Sequence, residues 1–454
     1  MHSINPATEQ EIETYQYHDD ETVERKLSAA ADAFRSWRQT PIEERESLLS
    51  SVTEVLSENV EKYATLITDE VGKPIAQSRA EVEKCVWLCE YYAKHAAQHL
   101  QDDRIGTVPG VETTISYEPL GPILAVMPWN YPFWQVFRFA APHLTAGNVG
   151  ILKHAPNVFG CAQAIESVFK RAGYPDAVFT SLQVPTERVS SLIEDRRIRA
   201  VTLTGSTRAG RTVAEQSGRE LKPTVLELGG SDPFVVLEDA PLEQAAEVGA
   251  QARTQNSGQS CIAAKRFIVH EAVYDKFLDL FTAEMDSLTV GDPTDPNTDV
   301  GPQARDDLMA TLDDQVSATI EAGATCQLGG EPLERPGYFY PPTILTDVPA
   351  GTPAAEEELF GPVASVFSVP SEAAAITMAN DTTFGLGASI WTADTDRGAE
   401  AATEIKAGNV FINQLVKSDP RVPFGGIKDS GYGSELAEHG IKEFVNAKTI
   451  WVED

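Results

Sequence analysis

Ala200-Val201-Thr202-Leu203-Thr204-Gly205-Ser206-Thr207-Arg208-Ala209-Gly210 passes from an apolar run through a Gly-Ser turn into a helix-like segment. A buried strand that hands over to a helix at a tight turn is the building unit of a parallel α/β sheet. Such a turn leaves backbone N–H groups free at the helix start, where a phosphate can sit. The segment lacks the G-x-G-x-x-G spacing, so its phosphate reading needs support from other motifs. The same unit recurs on either side. Ile123 to Met127, Val149 to Lys153 and Phe234 to Leu237 are short apolar runs, each followed by a polar or Gly-containing turn and a helix-like stretch. A second α/β series begins near Ala240, with strands expected at Arg266 to His270, Ala364 to Val369, Ala388 to Trp391 and Asn409 to Ile412.

Before these units, Asp19 to about Leu100 reads as helical, with Val52, Val55, Leu56 and Val60 at helical spacing. Pro41 followed by Glu43 and Glu44 marks a helix start. Thr113 to Tyr117 alternates and is β-branched, which predicts a strand. Ile441 to Val452 is expected as a lone strand that pairs elsewhere. Gly291 to Pro302 and Gly329 to Pro353, rich in Pro and Gly, are expected as long surface loops.

The 454 residues carry 68 acidic against 36 basic side chains, a net charge of −32. A surface so negative repels phosphate backbones and anionic lipid, which argues against nucleic-acid and membrane partners. The acidity either keeps the chain soluble or marks a cell with molar internal salt, where the screening length falls to about 3 Å. Its spread along the whole chain favours the second, a halophilic setting. No basic segment followed by an apolar run opens the sequence, and no stretch approaches about 18 apolar residues, so a cytoplasmic location is expected. Cys85, Cys89, Cys161, Cys261 and Cys326 are few and unevenly spaced, as in a reducing compartment, and none has zinc spacing, so no metal site is expected.

Three further segments suggest chemistry. Cys261 ends Asn256-Ser257-Gly258-Gln259-Ser260-Cys261, a polar turn between a helix and a strand. Near backbone N–H groups it is expected to ionise more easily than a core cysteine, although a single cysteine is often an inert small hydrophobe. Glu227, in Leu226-Glu227-Leu228-Gly229-Gly230, sits in an apolar, Gly-bounded segment. Burial there raises a carboxyl pKa and suits a general base; capping a turn is the alternative. Asn130, in Pro128-Trp129-Asn130-Tyr131-Pro132, is held in a stiff turn after an apolar strand. It either donates to a developing oxyanion or is a surface amide.

Together these segments resemble the aldehyde dehydrogenase superfamily. Asn5-Pro6-Ala7-Thr8, Lys153 after a strand, Glu358-Leu359-Phe360-Gly361-Pro362 and Pro423-Phe424-Gly425-Gly426-Ile427-Lys428-Asp429-Ser430-Gly431 extend the likeness over nearly the whole chain. The resemblance implies a Rossmann-type cofactor domain (1–110 and 125–228), an α/β catalytic domain (229–415), a small bridging β-sheet for oligomerisation (111–124 and 440–454) and a return segment (416–439). It also implies a homodimer or homotetramer. It assigns Cys261 as nucleophile, Asn130 and the Cys261 backbone N–H as oxyanion donors, and Glu227 as the base that hydrolyses the thioester. Lys153 and Glu358 are then ribose contacts, Gly205 and Ser206 meet the pyrophosphate, and Trp129 and Phe360 join the cofactor site.

NAD-preferring relatives carry Glu three residues after the ribose-binding Lys. Here that position is Pro156, with His154 beside Lys153, so the spot is expected neutral to basic and open to NAD or NADP. Lys153-His154-Ala155-Pro156-Asn157-Val158 and Lys417-Ser418-Asp419-Pro420-Arg421 look like the short succinate-semialdehyde dehydrogenase branch. That likeness implies Arg138 and Ser418 as binders of a distal carboxylate, with Trp134 beside them. A second Arg found in some of these enzymes is replaced by Gln255. An aliphatic or betaine aldehyde, or a non-catalytic role, is the competing expectation. Ala263 stands where some relatives have a second Cys, which excludes a disulfide there.

Overall fold

Helix Asp20–Trp37 begins where Asp19 accepts from the Thr22 N–H (2.9 Å), with Asp20 and Glu21 in its positive first turn. Its Val23, Leu27, Ala30 and Trp37 are buried against a six-stranded sheet, each large side chain stabilising by about 1.5–3 kcal/mol. Helices Ile42–Ser57, Val60–Val71 and Ile75–His99 follow. The chain is described here from a computed structural model covering residues 1–106 and 111–453. The expected domain boundary at 110 and the terminal residue 454 lie outside the described residues.

The six-stranded sheet has the order Gly431–Tyr432, Thr224–Glu227, Ala200–Thr204, Pro122–Met127, Val149–His154, Phe179–Ser181. All neighbours run parallel except Gly431–Tyr432, which joins antiparallel through Gly431 opposite Glu227. Its central strand is buried on both faces, as its unbroken apolar run requires. The strand order reverses at Pro122–Met127, and the crevice beyond the strand ends at such a point is where α/β folds bind ligands. The second sheet has seven strands: Thr325–Leu328, Thr343–Thr346, Val363–Val369, Arg266–His270, Pro233–Val236, Gly387–Trp391 and Asn409–Ile412. Only Thr325–Leu328 is antiparallel to its neighbour. Val445–Glu453, Val111–Pro119 and Asp103–Ile105 form a three-stranded antiparallel sheet.

Several expectations are corrected. The bridging strand stops at Pro119, not 124, because Pro122–Met127 pairs with the cofactor-side strands on both edges. Asp103–Ile105, expected in the cofactor domain, belongs to the small sheet. The stretch from Gly329 to Pro353 is not wholly a surface loop: its Thr343–Thr346 is a fully buried strand. Prolines at 341 and 342 obscure that strand, since they need no ladder donor just before it begins. The terminal segment is helical over Ala437–Lys442 before its strand starts at Val445. An N-terminal hairpin, His2–Ile4 with Glu11–Thr14, had no sequence signal strong enough to predict it. Among the described residues no helix is long and apolar enough to cross a membrane.

Candidate active site

Asn130, Lys153, Gly205 and Glu227 lie at or just beyond the ends of four adjacent parallel strands. The Asn130 turn is held from two sides. Glu81, on helix Ile75–His99, accepts from the N–H groups of Phe133 (2.9 Å) and Trp134 (3.0 Å) and pairs with the fully buried Lys73. His154 donates Nε2–H to the Pro132 carbonyl (2.9 Å) while its Nδ1 accepts from Ala155 N–H (3.0 Å). His154 is buried and burial pushes its pKa down to about 4, so it is neutral. It therefore adds no charge to the cofactor crevice, which falls at the neutral end of the neutral-to-basic range expected from the sequence.

The nucleophile loop is shaped by three successive left-handed residues, Asn256 (φ 52°), Ser257 (φ 55°) and Gly258 (φ 76°). Gly258 admits no side chain, since a Cβ would lie 2.1 Å from the Gly361 carbonyl carbon. Asn256 Nδ2 donates to the carbonyls of Asn130 (2.8 Å) and Gln259 (3.1 Å), and Asn130 Nδ2 donates to Gln259 (3.0 Å). The oxyanion turn and the nucleophile loop are thus stitched together. One hydrogen of the Asn130 amide is used in this way, and the second remains for a ligand. Lys265, also buried, donates to the carbonyls of Ser260 (3.0 Å), Cys261 (2.8 Å) and Ala263 (3.0 Å).

Cys261 is half-buried and in no disulfide. Burial pushes its thiol up to about 12; Lys265 and Arg138 pull it down, and Glu358 and Glu227 push it up. Desolvation and two carboxyl groups outweigh the cations, and the core thiol of Cys89, with no cation beside it, is pushed up further still. Glu227 is buried, and the Gly426 N–H is its one weak donor among the described residues. Burial first, and then Glu435, raise its pKa well above the ordinary carboxyl range, against the pull of Arg138. A carboxyl group that prefers its proton and is so sparsely donated to suits a base better than a turn cap.

On the cofactor side, Lys153 is buried with only a long contact to Thr186 Oγ1 (3.5 Å), and burial lowers it to about 8. Ser206 caps the helix Thr207–Arg219 by accepting from Ala209 N–H, and Gly205 leaves the turn before it bare. Gly210 lets this helix press onto Leu228, where a Cβ would stand 2.4 Å from Cδ1. Trp129 and Phe360 meet edge to face at 5.8 Å. Glu358 accepts from Gly230 N–H (3.0 Å) and lies 3.7 Å from Lys265. A bare turn on a helix N-terminus, beside an under-coordinated buried lysine, fits a dinucleotide. Among the described residues no cluster of three or more His, Cys, Asp or Glu could hold a metal.

On the substrate side, Arg138 lies on helix Trp134–Thr145, pairs through Nε with Glu435 and stands 5.1 Å over the Phe424 ring. Its Nη2 is buried without a hydrogen-bond partner. Trp134 and Ser418 meet at a residue that sequence reasoning missed. Lys84 Nζ donates to Ser418 Oγ (2.8 Å) and sits 4.3 Å from the Trp134 ring centre. Its signal is its position on helix Ile75–His99 between buried Glu81, Cys85 and Leu88, on a stripe that favours apolar residues.

Residues 1–450 match the model of the aldehyde dehydrogenase family. A probable NADP(+) succinate-semialdehyde dehydrogenase of Synechocystis sp. is 51% identical over 450 residues, covering 99% of each chain. The Mycobacterium tuberculosis enzyme named succinate-semialdehyde dehydrogenase [NADP(+)] 1 is 47% identical over 452 residues, again 99% of each. The crystal structure of succinic semialdehyde dehydrogenase from Streptococcus pyogenes with NADP+ superposes with a TM-score of 0.97 at 36% identity, covering all of both chains. The chain described here belongs to the aldehyde dehydrogenase family.

Proposed function

We propose that this protein oxidises succinate semialdehyde to succinate, using NADP or NAD, through a thioester on Cys261. Cys261 Sγ, its proton released to solvent, adds to the aldehyde carbonyl as a thiolate. The free hydrogen of the Asn130 amide and the Cys261 backbone N–H hold the oxyanion. The bound dinucleotide supplies the hydride acceptor, placed by Lys153, Gly205, Ser206 and Glu358. Glu227 then takes a proton from water, which attacks the thioester and frees the acid and the Cys261 thiol.

The observation that carries the choice of substrate is Arg138. Its guanidinium acts on both Cys261 and Glu227, and its buried Nη2 lacks a partner, as a site for a short anionic aldehyde needs. The names and NADP complex of the relatives support the same reading. An uncharged aldehyde is the second reading, because Glu435 already faces Arg138 Nε. Comparing kcat/KM for succinate semialdehyde and butanal, with each cofactor, decides between them. A clear preference for the semialdehyde is expected; equal or better use of butanal removes the proposal.

We also infer a cytoplasmic homodimer or homotetramer. Ile450, Trp451 and Val452 are each about half exposed on the small sheet, an apolar edge suited to meeting another copy. The net charge of −32 supports a high-salt working environment.

A further inference from the structure

Lys84 is a long cationic side chain drawn into the protein. Its ammonium group has one hydroxyl partner, Ser418, and one aromatic face, Trp134. Among the described residues no carboxylate stands within ion-pair distance of it. Its charged and titratable surroundings are Arg138, Glu81, Cys85 and Asp419. Burial and the neighbouring Arg138 push it down to about 8. An ammonium has three hydrogens to donate, so two remain for a ligand after Ser418.

Lys84 lines a cavity of about 680 Å³ together with Tyr131, Trp134 and Gln255 and with the carboxylates Glu81, Glu247, Glu284 and Asp299. The cavity wall adjoins the oxyanion turn: Tyr131 follows Asn130 and is hydrogen-bonded to Ser260, the residue before Cys261. Arg138 is within electrostatic reach of both Lys84 and Cys261. Arg138 is partly neutralised by Glu435. Gln255, on the same cavity wall, is uncharged and contacts the Ala252 carbonyl at 3.4 Å. Lys84 is the one cation among the described residues that line this cavity, and its carboxylate neighbour Glu81 is already paired with Lys73.

We propose that Lys84 is a specificity-determining residue that grips the distal carboxylate of a short oxo-acid, with Ser418 as its hydroxyl partner. The assignment rests on the semialdehyde reading above. A carboxylate arriving here gains charge-assisted hydrogen bonds from Nζ and a second hydrogen bond from Ser418 Oγ. A neutral aldehyde of equal length gains neither.

The test is the ratio of kcat/KM for succinate semialdehyde to that for butanal. Lys84→Met is expected to lower this ratio at least ten-fold, and Lys84→Arg to keep it within about three-fold of wild type. Thermal unfolding of each variant guards against a folding defect; if Lys84→Met does not fold, Lys84→Gln carries the same test. A ratio within two-fold of wild type in the uncharged variant overturns the role of Lys84 and leaves the semialdehyde reading intact. A wild-type enzyme with no preference for the semialdehyde overturns that reading, and this proposal with it.

Discussion

Lys265 Nζ lies 2.8 Å from the carbonyl oxygen of Cys261 and binds two more carbonyls of the same loop. One buried ammonium thus holds the backbone on both sides of the nucleophile and lends it positive charge. Lys265→Met leaves three carbonyls without their donor. Each hydrogen bond to a charged group contributes about 1.5–3 kcal/mol, but relaxation of the loop recovers part of the loss. We expect a destabilisation of about 3 kcal/mol and a fall in kcat of ten-fold or more, with dinucleotide affinity changed less than three-fold. Urea unfolding, steady-state kinetics and cofactor titration check this. A variant with wild-type kcat would show that the clamp does not position Cys261.

The raised thiol of Cys261 predicts the pH dependence of its reactivity. With its pKa pushed up to about 12, the thiolate is scarce at neutral pH and grows with each added pH unit. Alkylation of the cofactor-free enzyme by iodoacetamide should therefore climb through pH 9 without a plateau. A plateau below pH 8 would mean that the cations outweigh burial after all. Cys261→Ser should lose aldehyde oxidation and keep dinucleotide binding.

Glu227 couples activity to stability. Its folded pKa is raised, so the folded state favours the protonated acid; that stabilisation is present at low pH and is lost as pH rises through the folded value. Glu227→Gln cannot ionise. It should raise the thermal midpoint over wild type more at pH 9 than at pH 5, while slowing thioester hydrolysis by roughly 10²–10⁴-fold. The kinetic sign is a rapid burst of reduced cofactor followed by a slow steady state. A variant that turns over normally would remove Glu227 from catalysis.

The reach of the sequence can be judged residue by residue. Ala200 to Thr204 and Arg266 to His270 were legible to the residue, because fully buried parallel strands are unbroken apolar runs between turns. Thr343–Thr346 was not, because prolines beside it read as a loop. In the site, Asn130 and Glu227 stood out through stiff or Gly-bounded surroundings. Lys84 did not, because its partners Ser418 and Trp134 are 334 and 50 positions away, and a lysine on a helix usually reaches for water. For His154 the sequence left neutral and basic open, since its neutrality comes from burial against Pro132, which only the tertiary fold supplies.

Cofactor choice should turn on Pro156. It opens a one-turn 3₁₀ helix three residues beyond Lys153, at the first helical position, where proline and acidic residues are both accepted. No carboxylate is therefore offered to the ribose at that position. Lys153, whose main acidic influence is Glu187, is left able to meet a 2′-phosphate. Pro156→Glu places a negative charge there without disturbing the strand Val149–His154. Repulsion of a phosphate by one carboxylate across a few ångströms, in partly solvated surroundings, amounts to a few kcal/mol at most. We expect the KM for NADP to rise at least ten-fold while that for NAD changes less than three-fold. Initial rates with both cofactors at a fixed aldehyde concentration measure it. Parallel loss of both affinities would show that the substitution damaged the site, and an unchanged NADP affinity would place the 2′-phosphate away from position 156.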